Sequence, residues 1–331
     1  MHLPLFDILD NVRALGWSGA LELLRNGLTL GSLYALIALG YSMVYGILKL
    51  LNFAHGDVYM VGSFIGYGVL SSLGGPLSPN IPLTPLILVI FVVAMLGSGA
   101  VGVVIERFAY RPLRNAPRIA PLISALGVSF FLQNSMLLLF GAQHRLWNPY
   151  QLGGNAALGK PGPLITPVFT VKGVPVTVAQ LLVVATAIGL MIALTFLVAR
   201  TRLGKAMRAT AYDREAAAMM GIDIDRVITY TFFIGSMLAG AAGVMFGLYV
   251  GDTYHFMGFL AGLKAFTAAV VGGIGSIPGA VLGGLLVGLA EAYATGYAGG
   301  KWSDLLVFAL LVVVLLVRPT GLLGTRAINK V

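Results

Sequence analysis

Few side chains in this sequence are suited to covalent chemistry. There are four histidines, His2, His55, His144 and His255, and no cysteine. The missing cysteines remove thiolate nucleophiles, disulfides and Cys-ligated zinc. No His-Glu-x-x-His spacing places two imidazoles on one helix face, and no Gly-x-Ser-x-Gly turn presents a serine. Neither a catalytic residue nor a metal site is therefore expected. Residues 154–160 begin like a phosphate-binding loop, but Pro161 stands where a Ser or Thr hydroxyl must hold magnesium, and no strand precedes them. Gly272, Gly273 and Gly275 do not form a dinucleotide fingerprint either. Position 278 is proline and no strand–helix–strand unit surrounds them, so they read as tight helix packing or a break near a membrane surface.

What remains is a small set of ionisable residues in or beside apolar runs: Lys49, His55, Asp57, Lys264 and Glu291. A charge at the centre of a bilayer costs about 2.5–3.5 kcal/mol on insertion scales, so such groups face protein, water or an interface. Lys49 lies at the end of an apolar run and reads as interfacial snorkelling. His55 and Asp57 open a weak run, where interfacial placement, helix capping and a pathway role are all open. Lys264 and Glu291 are either a buried structural pair or contacts on a transport pathway.

The elements that hold these residues follow from composition. The chain has 331 residues, 58% hydrophobic and only 10% charged, whereas soluble domains carry about 25% charge. Lipid is the simpler solvent for it. The expected fold is all-α, a single polytopic membrane domain over residues 1–331 with about eight or nine transmembrane or re-entrant helices. Its 44 glycines suit helices that pack backbone to backbone. The net charge of +9 is no sign of nucleic acid, because the Lys and Arg residues sit in a few loops. Residues 1–26 contain no long apolar core and read as a short amphipathic lead-in rather than a cleavable signal.

Strong apolar runs cover about 27–48, 83–105, 119–140, 178–199, 227–250, 278–297 and 305–317; weaker ones cover about 53–73 and 256–274. Arg107, Arg111, Arg114 and Arg118 follow one span. Arg200, Arg202, Lys205, Arg208 and Arg214 follow another, and Arg318, Arg326 and Lys330 follow the last. All three groups are expected on the cytoplasmic side. Residues 141–177 then form a periplasmic loop, in which 168–174 reads as a small hairpin. If both weak runs cross fully, the N-terminus is outside; if one is re-entrant, the parity changes. Each weak run is glycine-interrupted and follows a strong span, and such segments at matching places in two halves point to a transport pathway. The match is one of layout, not of residues.

Residues 201–226 form a polar, helix-prone cytoplasmic segment. Asp213-Arg214-Glu215-Ala216-Ala217-Ala218-Met219-Met220-Gly221 reads as a short helix. Asp213 caps it, acids occupy its first turn and Gly221 ends it. An ordinary solvated connector is one reading. The other is a docking helix inserted into a cytoplasmic partner, favoured by the adaptable surface of Met219 and Met220 with Ile222.

Several stretches together resemble the LivH-type permease, the H subunit of the branched-chain amino acid ABC importer. They are NGLTLGSLYALIALGYSMVYG (26–46), NFAHGDVYM (52–60), IERFAYRP (105–112), LISALG (122–127), FLQN (131–134), GLKAFTAAVVGGIGSIPG (262–279) and RPTG (318–321). The resemblance runs from about residue 25 onward. It implies a non-enzymatic translocation subunit in a bacterial inner membrane. Its partners would be a second homologous permease, two cytoplasmic ATPases that bind ATP and magnesium, and a periplasmic binding protein. No cofactor would sit in this chain. Residues 215–221 resemble the EAA loop of ABC importers in Glu215, Ala216, Ala217 and Gly221, but no Ile-x-Leu-Pro follows. The docking role is therefore carried over without its contact geometry. Polar groups for an amino-acid ammonium and carboxylate would come from Asn52, His55, Asp57, Gln133, Asn134, Lys264 and Glu291. A permease for urea or short amides, or an ion-coupled secondary transporter using Glu291, is the alternative.

Overall fold

A computed structural model of the chain describes residues 4–73, 83–114, 116–117, 119–147 and 164–324, with the backbone alone for 4–15. Eleven α-helices follow one another among these residues: α1 (Pro4–Leu48), α2 (His55–Leu73), α3 (Leu83–Ile105), α4 (Ile119–Phe140), α5 (Val178–Arg200), α6 (Arg202–Tyr212), α7 (Arg214–Met219), α8 (Ile224–Val250), α9 (Met257–Gly272), α10 (Ile277–Ala298) and α11 (Gly300–Val317). A π-helical turn, Glu106–Tyr110, and a 3-10 turn, Arg111–Leu113, extend α3. Seven of the helices are long and apolar enough to cross a membrane. The expected lead-in does not end before the first span. Apart from a kink at Gly16, where φ is 53°, α1 runs on through residues 17–26. Ala, Leu, Glu and Arg there are good helix formers, and Arg25 bonds Glu22 one turn back at 3.1 Å.

The two weak runs become α2 and α9, and both helices start part-way across. The His55 ring lies against Gly40 of α1, roughly 12 Å up the helix from Leu48 at 1.5 Å per residue. The chain therefore climbs from the end of α1 through the non-helical residues 49–54 before α2 begins. Residues 251–256 descend in the same way from the end of α8 to the start of α9. Non-helical backbone at membrane depth is tolerated only where protein buries it, and Asn52, Ala54 and Thr253 are buried. α2 and α9 are not among the seven described helices long and apolar enough to cross a membrane by themselves.

The two halves share this layout with opposite direction. α1 packs antiparallel on α10, with Gly31 against Leu285 and Gly27 against Leu289. α8 packs antiparallel on α3, with Gly240 against Ser98 and Gly102 against Ser236. α2 packs on α8, and α9 on α1. The N-terminal turns of α2 and α9 meet at the centre. A methyl group at Gly56 would lie 2.4 Å from the Gly258 oxygen, so only glycine permits this approach. The same holds at Gly62, where a methyl would lie 2.4 Å from the Gly240 Cα. α2 is thus enclosed by protein along most of its length, whereas α4, α5 and α11 present broad apolar faces outward.

Between α4 and α5, β1 (Pro167–Val171) and β2 (Val174–Thr177) form the hairpin expected around 168–174. Lys172 and Gly173 both have positive φ, 48° and 86°, the two-residue turn that matches strand twist. Thr177 and Gln180 cap the start of α5 reciprocally. A two-residue ladder joins Arg145–Leu146 to Asp252–Thr253, and the buried Trp147 Nε1 donates to Thr253 Oγ1 at 2.9 Å. The phosphate-loop look-alike at 154–160 lies outside the described residues, as do Arg118, Arg326 and Lys330. Gly273 and Gly275, with φ of 110° and 91°, form the expected break between α9 and α10.

Candidate coupling surface and buried polar site

The polar segment 201–226 contains two helices, α6 and α7. Asp213 sits between α6 and α7, and its Oδ1 accepts from the Ala216 amide at 3.1 Å. Gly221, with φ of 82°, lets the Ile222 amide return to the Ala217 oxygen at 3.1 Å, which closes α7 at its C-terminus. Ala217 is buried, Ala216 is half-buried and Glu215 points outward. Met219 and Met220 are more than four-fifths exposed, an apolar surface with none of the described residues over it. Arg214 turns inward instead. Its Nη2 donates to the Ile47 oxygen at the last turn of α1, at 2.8 Å. Desolvation, and then the charge of Arg114, lower its pKa from the ordinary arginine value.

A second charge cluster stands beside it. Arg114 bonds both Glu106 and Asp225, Arg111 bonds Asp225, and the Thr229 hydroxyl donates to Glu106 at 3.0 Å. Glu106 is buried, so this network clamps the end of α3 to the start of α8. Sequence reasoning read Arg111 and Arg114 only as topology markers and passed over Glu106 and Asp225. Two acids next to a basic cluster were the available signal.

The proposed pathway residues divide into two groups and one outlier. In the first group, Asp57 accepts from Ser129 and from Gln133 Nε2, the latter at 3.0 Å, joining α2 to α4. Asn52 accepts from the Tyr110 hydroxyl at 3.0 Å. His55 packs edge-on to Tyr41 at 4.8 Å, and its buried Nε2 has no hydrogen-bond partner among the described residues. In the second group, Lys264 Nζ lies 2.7 Å from both Glu291 and Asp304, and the Tyr34 hydroxyl donates to Glu291 at 2.7 Å. That group ties α9, α10, α11 and α1 together. Asn134 joins neither: it is exposed on α4 and donates to the Phe130 oxygen at 2.8 Å. Ser129, Tyr110, Tyr34 and Asp304 went unnoticed. A lone hydroxyl inside an apolar run carries no signal until its partner is in place.

The sequence profile described as "Branched-chain amino acid transport system / permease component" matches residues 23–315. The chain belongs to this permease family. The permease is 45% identical over 311 residues to the high-affinity branched-chain amino acid transport system permease protein BraD of Pseudomonas aeruginosa, covering 94% of this chain and 98% of BraD. It is 44% identical over 312 residues to the corresponding protein LivH of Escherichia coli, covering 94% and 97%. LivH of Salmonella typhimurium matches to the same extent. The permease is accordingly a multi-pass membrane protein of a transport system.

Proposed function

We propose that this permease is one of two transmembrane subunits of an ATP-driven importer that carries branched-chain or related amino acids across a bacterial inner membrane. The observation that carries the reading is α7, an exposed helix with an apolar methionine tip whose first residue grips the end of α1. Two cytoplasmic ATPases receive α7, bind ATP and magnesium and perform the hydrolysis. A periplasmic binding protein delivers the substrate to the outer face, and a second homologous permease completes the pathway. This chain makes and breaks no covalent bond and carries no cofactor of its own. ATP binding draws the ATPases together and moves α7. Arg214 passes that motion to α1, whose central turns hold the α2 and α9 breaks through Gly40 and Tyr41. ATP shifts the equilibrium between outward- and inward-open states only by its differential affinity for them. Asn52, His55, Asp57 and Gln133 are polar groups beside the first break, while Lys264, Glu291 and Asp304 brace the helices beside them.

The test is uptake into proteoliposomes containing the complete assembly, offered labelled leucine or labelled urea, with a matched assembly carrying Glu215→Lys and Met219→Asp. Leucine uptake that requires ATP and fails in the docking variant is the expected result. Uptake without the ATPases would overturn the ATP-driven reading, and urea uptake without leucine uptake would overturn the substrate.

A further inference from the structure

A groove beside the coupling segment has a role that neither α7 nor the buried polar groups account for. It lies between α5 and α10 and has α1 as its floor. Its upper part is an apolar slot of about 260 Å³ lined by Leu36 and Leu39 of α1, Ala187 and Met191 of α5, and Leu285 of α10. Its lower part widens to about 670 Å³, and Met43, Lys49, Val198, Arg208 and Ser276 are among its lining residues. The same three helices line both parts, and the lining residues of α1 follow on from one part to the next. The two parts align as one seam, mostly apolar above and basic below, where Arg208 of α6 also donates to the Val198 oxygen.

We propose that this seam is a binding site for an anionic glycerophospholipid of the cytoplasmic leaflet, with the headgroup phosphate at Lys49 and Arg208 and an acyl chain in the slot above. From Lys49 to Leu36 the floor rises roughly 20 Å at 1.5 Å per residue, about the depth of one leaflet's hydrocarbon with its interface. Both cations sit where headgroups lie, and a basic cluster at the cytoplasmic surface draws anionic lipid. The first turn of α10, from Ile277, borders the same cavity, adding the positive end of a helix to the two side chains.

Two observations select this occupant. No carboxylate is among the described residues that line either part, so the seam offers an anion two cations and an ammonium no charged partner. That is the wrong chemistry for the exit of a zwitterionic amino acid. The slot, about 260 Å³, is also too small for a transmembrane helix of about 10 Å diameter, and its Leu39, Met191 and Leu285 walls suit part of a single hydrocarbon chain. The site exists whatever the permease carries, so its fate is independent of the transport assignment.

The experiment is native mass spectrometry of the purified assembly titrated with dioleoylphosphatidylglycerol. Three variants are compared with wild type: Lys49→Asn with Arg208→Gln, Ala187→Phe, and a control, Arg107→Gln with Arg202→Gln, whose cations lie outside the seam. Asparagine is chosen because Lys49 has φ of 57°, a backbone region asparagine tolerates. Wild type and control should retain one phosphatidylglycerol per copy of this chain through detergent exchange. The headgroup variant should bind at least tenfold more weakly, and Ala187→Phe should bind more weakly with both cations intact. Ile188→Trp at the exposed lip replaces Ala187→Phe if that chain does not assemble. Equal retention in all variants would overturn the proposal in favour of loose surface attraction. Full displacement by dioleoylphosphatidylcholine would also overturn it, as would displacement by soluble glycerol 3-phosphate, which would mark a plain phosphate site.

Discussion

Arg214 and Ile47, 167 residues apart, are joined by a 2.8 Å hydrogen bond from the guanidinium to the main-chain oxygen. The bond links the start of α7 to the last turn of α1, and α1 contacts both interrupted helices. Hydrogen bonds from charged donors contribute about 1.5–3 kcal/mol, and 1.4 kcal/mol corresponds to a factor of ten.

Replacing Arg214 with alanine should lower ATP-driven leucine uptake by about tenfold while the assembly still forms and hydrolyses ATP. Parallel assays of uptake and phosphate release on the same proteoliposomes decide it. Unchanged uptake would remove Arg214 from the coupling route.

Removing one partner of a buried ion pair is worse than removing both, because the survivor is left charged without compensation. Arg114→Ala leaves Glu106 buried beside Thr229 and should cost about 3–5 kcal/mol. Glu106→Gln with Arg114→Met should recover most of the loss. The midpoint of thermal aggregation in detergent gives the ordering, and equal midpoints for the two variants would contradict it.

Lys264 stands between Glu291 and Asp304, with Tyr34 on the far side of Glu291. Lys264→Met should reduce the monodisperse fraction on gel filtration severely. Lys264→Met combined with Glu291→Leu should restore it and keep leucine uptake within about threefold of wild type, since a well-packed apolar replacement of a buried pair is close to neutral. A double variant that assembles fully yet carries no leucine would make the pair part of the pathway rather than a brace.

Gly62→Ala forces a methyl to within 2.4 Å of the Gly240 Cα and 2.9 Å of Ser98 Oγ. Overpacking of this kind costs about 1–3 kcal/mol, read as a lower aggregation midpoint. Gly68→Ala, on the same helix with nothing within 4 Å of its new methyl, should leave the midpoint unchanged or raise it slightly.

The apolar runs match the long described helices well, because lipid imposes one requirement on every residue of a span. The boundaries at Leu48, Leu73, Ile105, Phe140, Val250 and Val317 match the observed helix ends. The hairpin and the ends of α7 were also legible, because Lys172-Gly173, Asp213 and Gly221 act through their own backbone. The buried polar contacts were not. Asp57 meets Gln133 across 76 residues and Tyr110 meets Asn52 across 58, so each partner is defined by helix packing and not by local pattern. The kink at Gly16 was missed for the opposite reason: residues 17–26 look too polar for a membrane, yet they are sound helix formers.

The enclosure of α2 has a consequence for how the chain is made. Ser63 of α2 bonds Thr253, 190 residues further along, and ribosomes add about 5–20 residues per second. Roughly ten to forty seconds therefore pass between the synthesis of the two partners. Throughout that interval α2, with His55 and Asp57 in its first turn, has no α8 to lie against. It is not among the described helices long and apolar enough to cross a membrane. The insertion machinery, or α1 and α3 on either side, must shelter it until the second half of the permease arrives, which makes the nascent first half a natural client for membrane quality control.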